Sequence, residues 1–248
     1  MANSIDTSNL SAGDRLICAL DTADIKEAKS IIDELDGVVS FFKVGLTLHL
    51  ASGHEVVKPL IDAGKKVFLD LKYYDIPKTV EMAVRVAAGL GVTFITVHGN
   101  REVVEYAVKG RGDSGLQVLM VTVLTSLDQD DLREMGYDVK LEDLVLAKAR
   151  IAQEAGASGV ISSPREAGLI KKETKGQLLV VSPGIRDSDG SGDDQKRTMN
   201  AEEAIVAGAD FLVVGRPITG KPDRRKAAME HIEAIQRGLD RVKQESCN

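Results

Sequence analysis

Cysteine is scarce in this 248-residue chain, with Cys18 inside an apolar run and Cys247 beside the last residue. Two thiols so differently placed suggest neither a disulfide framework nor a cysteine metal site, and they suit a reducing compartment. Histidine is also rare, and His49, His54 and His231 have no carboxylate or cysteine partner at ligand spacing, which speaks against zinc. Positive charge is not in excess: the formal net charge is −6, so a broad basic footprint for nucleic acid or a membrane surface is missing, although a local basic pocket is not excluded. No apolar run nears the roughly 18 residues needed to cross a bilayer. Residues 1–14 are polar and lack the apolar stretch of a secretory leader. Together these absences predict a cytoplasmic protein. A Pro/Ser-rich linker is missing too, so one domain is expected from a length that two small ones could share.

What is present has the balance of a globular protein, 43% hydrophobic and 28% charged. Short β-branched or apolar runs recur at 16–20, 41–46, 66–71, 94–97, 117–124, 159–162, 178–181 and 211–214. Between them lie segments with helical spacing, such as Ile25, Ala28, Ile31, Ile32 and Leu35, or Val80, Ala83, Val84, Ala87 and Leu90. Ala63-Gly64, Leu90-Gly91, Ala155-Gly156 and Ala207-Gly208 each put a glycine where a helix would end before the next strand. Near-continuous apolar strands alternating with helices imply a parallel sheet covered on its outer face, and eight such units predict an α/β fold of the (β/α)8 TIM barrel type. The barrel is expected over residues 15–240, after a polar extension at 1–14 and before a polar tail at 241–248. One stretch breaks the rhythm: RDSDGSGDDQKR, 186–197, has two glycines and no periodicity, and reads as a mobile loop after the seventh strand.

In such a barrel the reacting groups sit at the C-terminal ends of strands and in the loops that follow. Asp21, Lys43, Asp70 and Lys72 all close apolar runs. Side chains alternate along a strand, so Asp70 and Lys72 should share the inward face while Leu69 and Leu71 pack against helices, and Lys43 should point inward between Phe42 and Val44. Any one of these charges could be a solvated or structural ion. Buried together they would cost several kcal/mol each unless paired, and such a cluster is usually kept for chemistry. His98, alone at the end of the fourth strand, reads as a structural residue, and the GDSG at 112–115 as a turn with no strand-to-helix elbow around it.

The string DLKYYDIPKTV, 70–80, resembles the D-x-K-x-x-D signature of orotidine 5'-monophosphate decarboxylases, including the Ile-Pro-x-Thr that follows. ALD ending at Asp21, FKVG around Lys43, VTVLTS ending at Ser126, SPGIR ending at Arg186, the GDDQKR loop and VVGRPIT around Arg216 extend the likeness over nearly the whole chain. The resemblance implies decarboxylation of orotidine 5'-monophosphate to UMP and CO2, the last step of de novo pyrimidine nucleotide synthesis, without metal or cofactor. It implies a charge array of Lys43, Asp70, Lys72 and Asp75, with Lys72 the proton donor to C6. It also implies a homodimer in which Asp75 and Thr79 reach the neighbouring site. Asp21 matches a ribose-hydroxyl contact and Thr125 the residue beside the pyrimidine ring, with Ser126 as a helper next to it, and Arg186, Gln195, Gly215 and Arg216 lie where a phosphate site is expected. That last assignment agrees with the general preference of these barrels for phosphate after strands seven and eight, and with the planar fork of arginine.

Two other readings compete. Related sugar-phosphate decarboxylases or synthases share the barrel and D-x-K-x-x-D but use Mg2+, with an acidic residue on strand two near where this chain has Lys43; a lysine there repels a hard cation. A catalytically silent nucleotide-binding barrel is the second, and an intact charge array argues against it. Tyr73, Tyr74 and Lys78 depart from the family's usual Phe-His and Asn at those places, beside the array and not within it.

Overall fold

The computed structural model describes residues 5–186 and 197–246. The segment expected to be a mobile loop, including Gln195, therefore lies almost wholly outside the described residues. Eight strands form the sheet: β1 (Leu16–Leu20), β2 (Phe41–Gly45), β3 (Lys66–Tyr73), β4 (Phe94–Val97), β5 (Gln117–Val121), β6 (Gly159–Ile161), β7 (Leu179–Ser182) and β8 (Phe211–Val214). Each pairs in parallel with its successor, and β8 pairs with β1 to close the barrel.

The helices covering it are α1 (Ile25–Glu34), α2 (Leu46–Ser52), α3 (Val57–Asp62), α4 (Pro77–Leu90), α5 (Arg101–Arg111), α6 (Gln129–Glu134), α7 (Leu141–Glu154), α8 (Ala167–Glu173), α9 (Ala201–Val206), α10 (Arg216–Thr219) and α11 (Arg224–Ser246). Their starts follow from local chemistry. The Asp24, Asn100 and Asn200 side chains accept from backbone N–H groups of the first turns, Asp128 and Asp131 form a reciprocal capping box, and Pro77 opens α4. The glycines expected at helix ends, Gly64, Gly91, Gly156 and Gly208, all take positive φ; Gly91 at φ +84° closes α4 by donating its N–H to the Ala88 carbonyl.

Alternation along the strands divides the core in two. Phe42, Val44, Leu69 and Ile95 face outward against the helices, whereas Phe41, Phe68, Phe94 and Phe211 meet inside the barrel. Four of the five phenylalanines of the chain are thus inside. Their rings stack edge to face with centroids 5.0 Å (Phe41–Phe94), 5.1 Å (Phe94–Phe211) and 5.8 Å (Phe68–Phe94) apart, a preferred geometry for aromatic pairs. Ile5 and Leu10 pack against this interior cluster. The Arg15 guanidinium ties their segment to the barrel by donating to the Thr7 and Asp210 carbonyls at 2.6 and 3.1 Å. At the other end of the chain, α11 continues through 241 to Ser246.

Two strands end more than one residue away from where their apolar runs do. β5 stops at Val121, and the carbonyls of Val123 and Leu124 are taken up by the Arg197 side chain instead of a strand. β3 runs on to Tyr73, but its ladder slips: Leu69 pairs with Ile95, and the next partners are Tyr73 and Val97. Four residues of β3 are spanned by two of β4, a bulge at the barrel mouth.

Candidate active site

The bulge in β3 falls on the residues that carry charge. Lys72 sits in it with φ +50°, left-handed backbone that costs a residue with a Cβ about 1 kcal/mol or more. Its N–H donates to the Thr96 hydroxyl at 2.9 Å, and its ammonium donates to Asp70 Oδ1 at 2.9 Å. The Thr96 hydroxyl, on β4, donates in turn to the same Asp70 oxygen at 2.8 Å. Asp70 Oδ2 faces the Lys43 ammonium at 3.7 Å, and Lys43 donates to Asp21 Oδ1 at 2.8 Å. The result is a line of alternating sign, Asp21, Lys43, Asp70, Lys72, drawn from β1, β2 and β3.

Burial grades along this line. The Asp21 side chain is 61% exposed, but those of Lys43 and Asp70 are only 10% and 14% exposed. Burial pushes the Asp70 carboxyl up; Lys43, Lys72 and the hydrogen bonds from Lys72 and Thr96 outweigh it and hold the group below its ordinary value. Gly45 makes room for the arrangement, since a Cβ there would stand 3.1 Å from Lys43 Nζ and 3.4 Å from Asp21 Oδ1.

A cavity of about 320 Å³ opens on this line. Asp21, Lys43, Asp70 and Lys72 form one side, Thr125 and Ser126 after β5 another, and Arg186, Gly215 and Arg216 after β7 and β8 a third. Apolar Val121, Ile161 and Val213 complete it from within the barrel. Sequence reasoning named the polar members of this lining and did not single out Thr96, whose position two residues after inward-facing Phe94 carried the same parity signal. Arg197 and Glu166, buried behind the wall, were missed as well.

Asp75 and Thr79 do not line the cavity. Asp75 is exposed, accepts from the Ile76 N–H at 2.6 Å, and borders a separate depression with Tyr74, Pro77 and Asn100. Thr79 lies in the first turn of α4. His98 is likewise outside the lining; its N–H donates to the Tyr73 carbonyl at 2.9 Å and its ring stands 5.8 Å from that of Tyr74. Burial, with the nearby Lys148 and Lys72 ammonium groups, lowers its pKa.

A closed parallel barrel with this array at its mouth is matched over residues 14–231 by the family described as "Orotidine 5'-phosphate decarboxylase / HUMPS family". The chain belongs to that family. It is 50% identical over 221 residues to an orotidine 5'-phosphate decarboxylase of Nitrobacter winogradskyi, covering 89% of this chain and 92% of the relative. It is 45% identical over 230 residues to one of Methylococcus capsulatus, with coverage of 92% and 94%. Among solved structures, orotidine 5'-phosphate decarboxylase from Lactobacillus acidophilus superposes with a TM-score of 0.78 at 35% identity, covering 89% of this chain and 98% of that one. The enzyme from Pyrococcus horikoshii gives 0.70 at 27% identity, with coverage of 89% and 99%.

Proposed function

We propose that the cavity binds orotidine 5'-phosphate with its C6 carboxylate at the Asp70–Lys72 end, and that Lys72 is the group that replaces CO2 by a proton. The activity is the decarboxylation of orotidine 5'-phosphate to UMP and CO2, a step of pyrimidine biosynthesis. The observation that carries the assignment of roles is the alternating line itself, with a lysine ammonium held in place by a buried carboxylate at a cavity wall.

Cleavage of the bond from C6 to the carboxylate releases CO2 and leaves its electron pair on C6, in an orbital that the pyrimidine ring does not readily delocalise. An ammonium already oriented by Asp70 stabilises that charge as it develops, because it need not reorganise as solvent would. Lys72 then gives its proton to C6, and the neutral amine recovers a proton from water. Lys43, between two carboxylates, attracts both, offsets their mutual repulsion and fixes Asp21 for a ribose hydroxyl. A hard cation would need these carboxylate oxygens for itself, but they already face two ammonium groups, so the donor set does not fit the Mg2+-dependent alternative.

At the far wall Arg186, Gly215 and Arg216, together with Gln195, are assigned to the phosphate, and Thr125 and Ser126 to the ring. Asp75 is assigned to the array of a second subunit, with Thr79 beside it, in a cytoplasmic homodimer. Supporting this, Tyr74 and Ile76 on either side of Asp75 are 70% and 67% exposed, as are Leu46 and Leu50 on α2 at 62% and 89%. Large apolar side chains left in water, two of them next to the Asp75 that carries a charge of the array, are what a subunit contact would cover.

The deciding experiment follows ultraviolet absorbance of the protein with orotidine 5'-phosphate in EDTA. A change to the spectrum of UMP that is lost in Lys72→Ala is expected. Turnover by Lys72→Ala at the wild-type rate would remove Lys72 as the donor, binding without turnover would favour a silent nucleotide binder, and activity only with added Mg2+ would favour the sugar-phosphate relatives.

A further inference from the structure

Behind the cavity wall lies a second ion pair that the charge line does not use. Arg197 and Glu166 are both buried, with side chains 8% and 6% exposed, and Arg197 Nη1 donates to Glu166 Oε1 at 2.6 Å. Glu166 belongs to a short turn after β6, where its other oxygen accepts from the Ser162 hydroxyl at 3.2 Å. The Thr122 hydroxyl, at the end of β5, lies 3.0 Å from that of Ser162. Burial pushes the Glu166 carboxyl up against the pull of Arg197 and these hydrogen bonds.

The second terminal nitrogen of Arg197 crosses to a different strand end. Nη2 donates to the carbonyls of Val123 and Leu124 at 3.2 and 3.0 Å, the two residues directly before Thr125 and Ser126. The Arg197 backbone is fixed to the opposite side: its carbonyl accepts from the Ser163 hydroxyl at 3.2 Å. Two residues later, Met199 bridges the wall that holds Arg186, donating its N–H to the Gly184 carbonyl at 3.2 Å and accepting from the Arg186 N–H at 3.0 Å. One guanidinium therefore joins the Gly184–Arg186 wall to the Val123–Ser126 wall, with Glu166 holding it in place.

We infer that Arg197 and Glu166 are positioning residues, a cross-brace that sets the distance between the phosphate-side and ring-side walls of the cavity. The inference rests on the assignment of those walls to phosphate and ring made above. A nucleotide touches both walls at once, so its reacting carbon is placed correctly only if they stay in register. A nucleoside without phosphate touches only the ring wall and the charge line, and loses less when the brace is altered.

The test compares kcat/KM for orotidine 5'-phosphate and for orotidine in Arg197→Lys, Glu166→Gln and Arg216→Ala, with thermal melting of each. Lysine keeps the charge facing Glu166 but has no fork to span to two carbonyls. Arg197→Lys is expected to lose on the order of 10²-fold on the nucleotide, the scale of a small misplacement remote from the reacting atoms, and much less on the nucleoside. Arg216→Ala should show the same contrast. Contrast in Arg216→Ala but not in a folded Arg197→Lys overturns the brace alone; absence of contrast in Arg216→Ala overturns the phosphate assignment beneath it. Should Arg197→Lys fail to fold, the double variant Arg197→Met/Glu166→Met removes both charges together, and an unchanged nucleotide kcat/KM there refutes the inference.

Discussion

Lys72 occupies left-handed backbone, and that strain can be measured apart from its chemistry. Consider Lys72→Gly beside Lys72→Ala. Both remove the ammonium and the 2.9 Å contact with Asp70, both leave Asp70 its Thr96 hydrogen bond and the facing Lys43, and neither should catalyse proton transfer. They differ in the Cβ at φ +50°. Removing it relieves about 1–2 kcal/mol of left-handed strain. Glycine gives back about 0.4–1 kcal/mol through the larger entropy of its unfolded chain. The balance favours Lys72→Gly over Lys72→Ala by up to about 1.6 kcal/mol, about 0.8 kcal/mol at mid-range, which for a chain of this size is about 2–3 °C in Tm. Urea denaturation of the two variants, followed by far-ultraviolet circular dichroism, reads the difference directly. If the glycine variant is less stable than the alanine variant by the full entropy difference of about 0.4–1 kcal/mol, the bulge stores no strain at this residue. It would then be wrong to regard the β3 irregularity as stability given up to aim an amine.

Other consequences are open to measurement. Arg216→Ala should lose on the order of 10²–10⁴-fold in kcat/KM, as expected for two charge-assisted hydrogen bonds of roughly 1.5–3 kcal/mol each, with little change in Tm because its side chain is at the surface; comparable losses in stability would count against a phosphate role. Asp70 is held below its ordinary value of 3.8, so its contribution to stability is present above that pH and disappears as pH falls through the lower folded value. The stability gap between wild type and Asp70→Asn should therefore narrow on acidification below about pH 4, and a gap independent of pH in urea titrations would contradict the assignment. For the proposed dimer, an equal mixture of Lys72→Ala and Asp75→Ala subunits, allowed to exchange, should recover about a quarter of wild-type sites, because half the dimers are mixed and one site in each is intact. No recovery in exchanged dimers would confine Asp75 to its own subunit.

The barrel was legible because each strand is a short apolar run with polar helical spacing on either side, and eight repetitions leave little choice of closure. Asp70 and Lys43 were legible by parity, which holds from Leu69 to Asp70 and from Phe42 to Lys43. Lys72 reaches the same cavity through a bulge that simple alternation does not describe. Its expected position agrees with the structure, but the backbone that achieves it was invisible. Strand ends at β3 and β5 were misplaced for the related reason that hydrogen bonds, and not apolar content, decide where pairing stops. The Arg197–Glu166 pair had no local signal at all: its partners come from three separate loops, and only folding brings a guanidinium, a carboxylate and two carbonyls together. The roles proposed for Asp75 and Thr79 call for a second copy of the chain, and Gln195 lies outside the described residues, so these three assignments rest on the family resemblance.

The phenylalanine cluster inside the barrel has a consequence for turnover. With Phe41, Phe68, Phe94 and Phe211 packed edge to face beneath the charges, and Ile5 and Leu10 against the same cluster, the cavity has an apolar, filled floor among the described residues. Under the proposed mechanism, water that restores the spent amine of Lys72 does not come up through that floor but enters from the mouth, the side on which UMP and CO2 leave, so recharging the acid is tied to clearing the product.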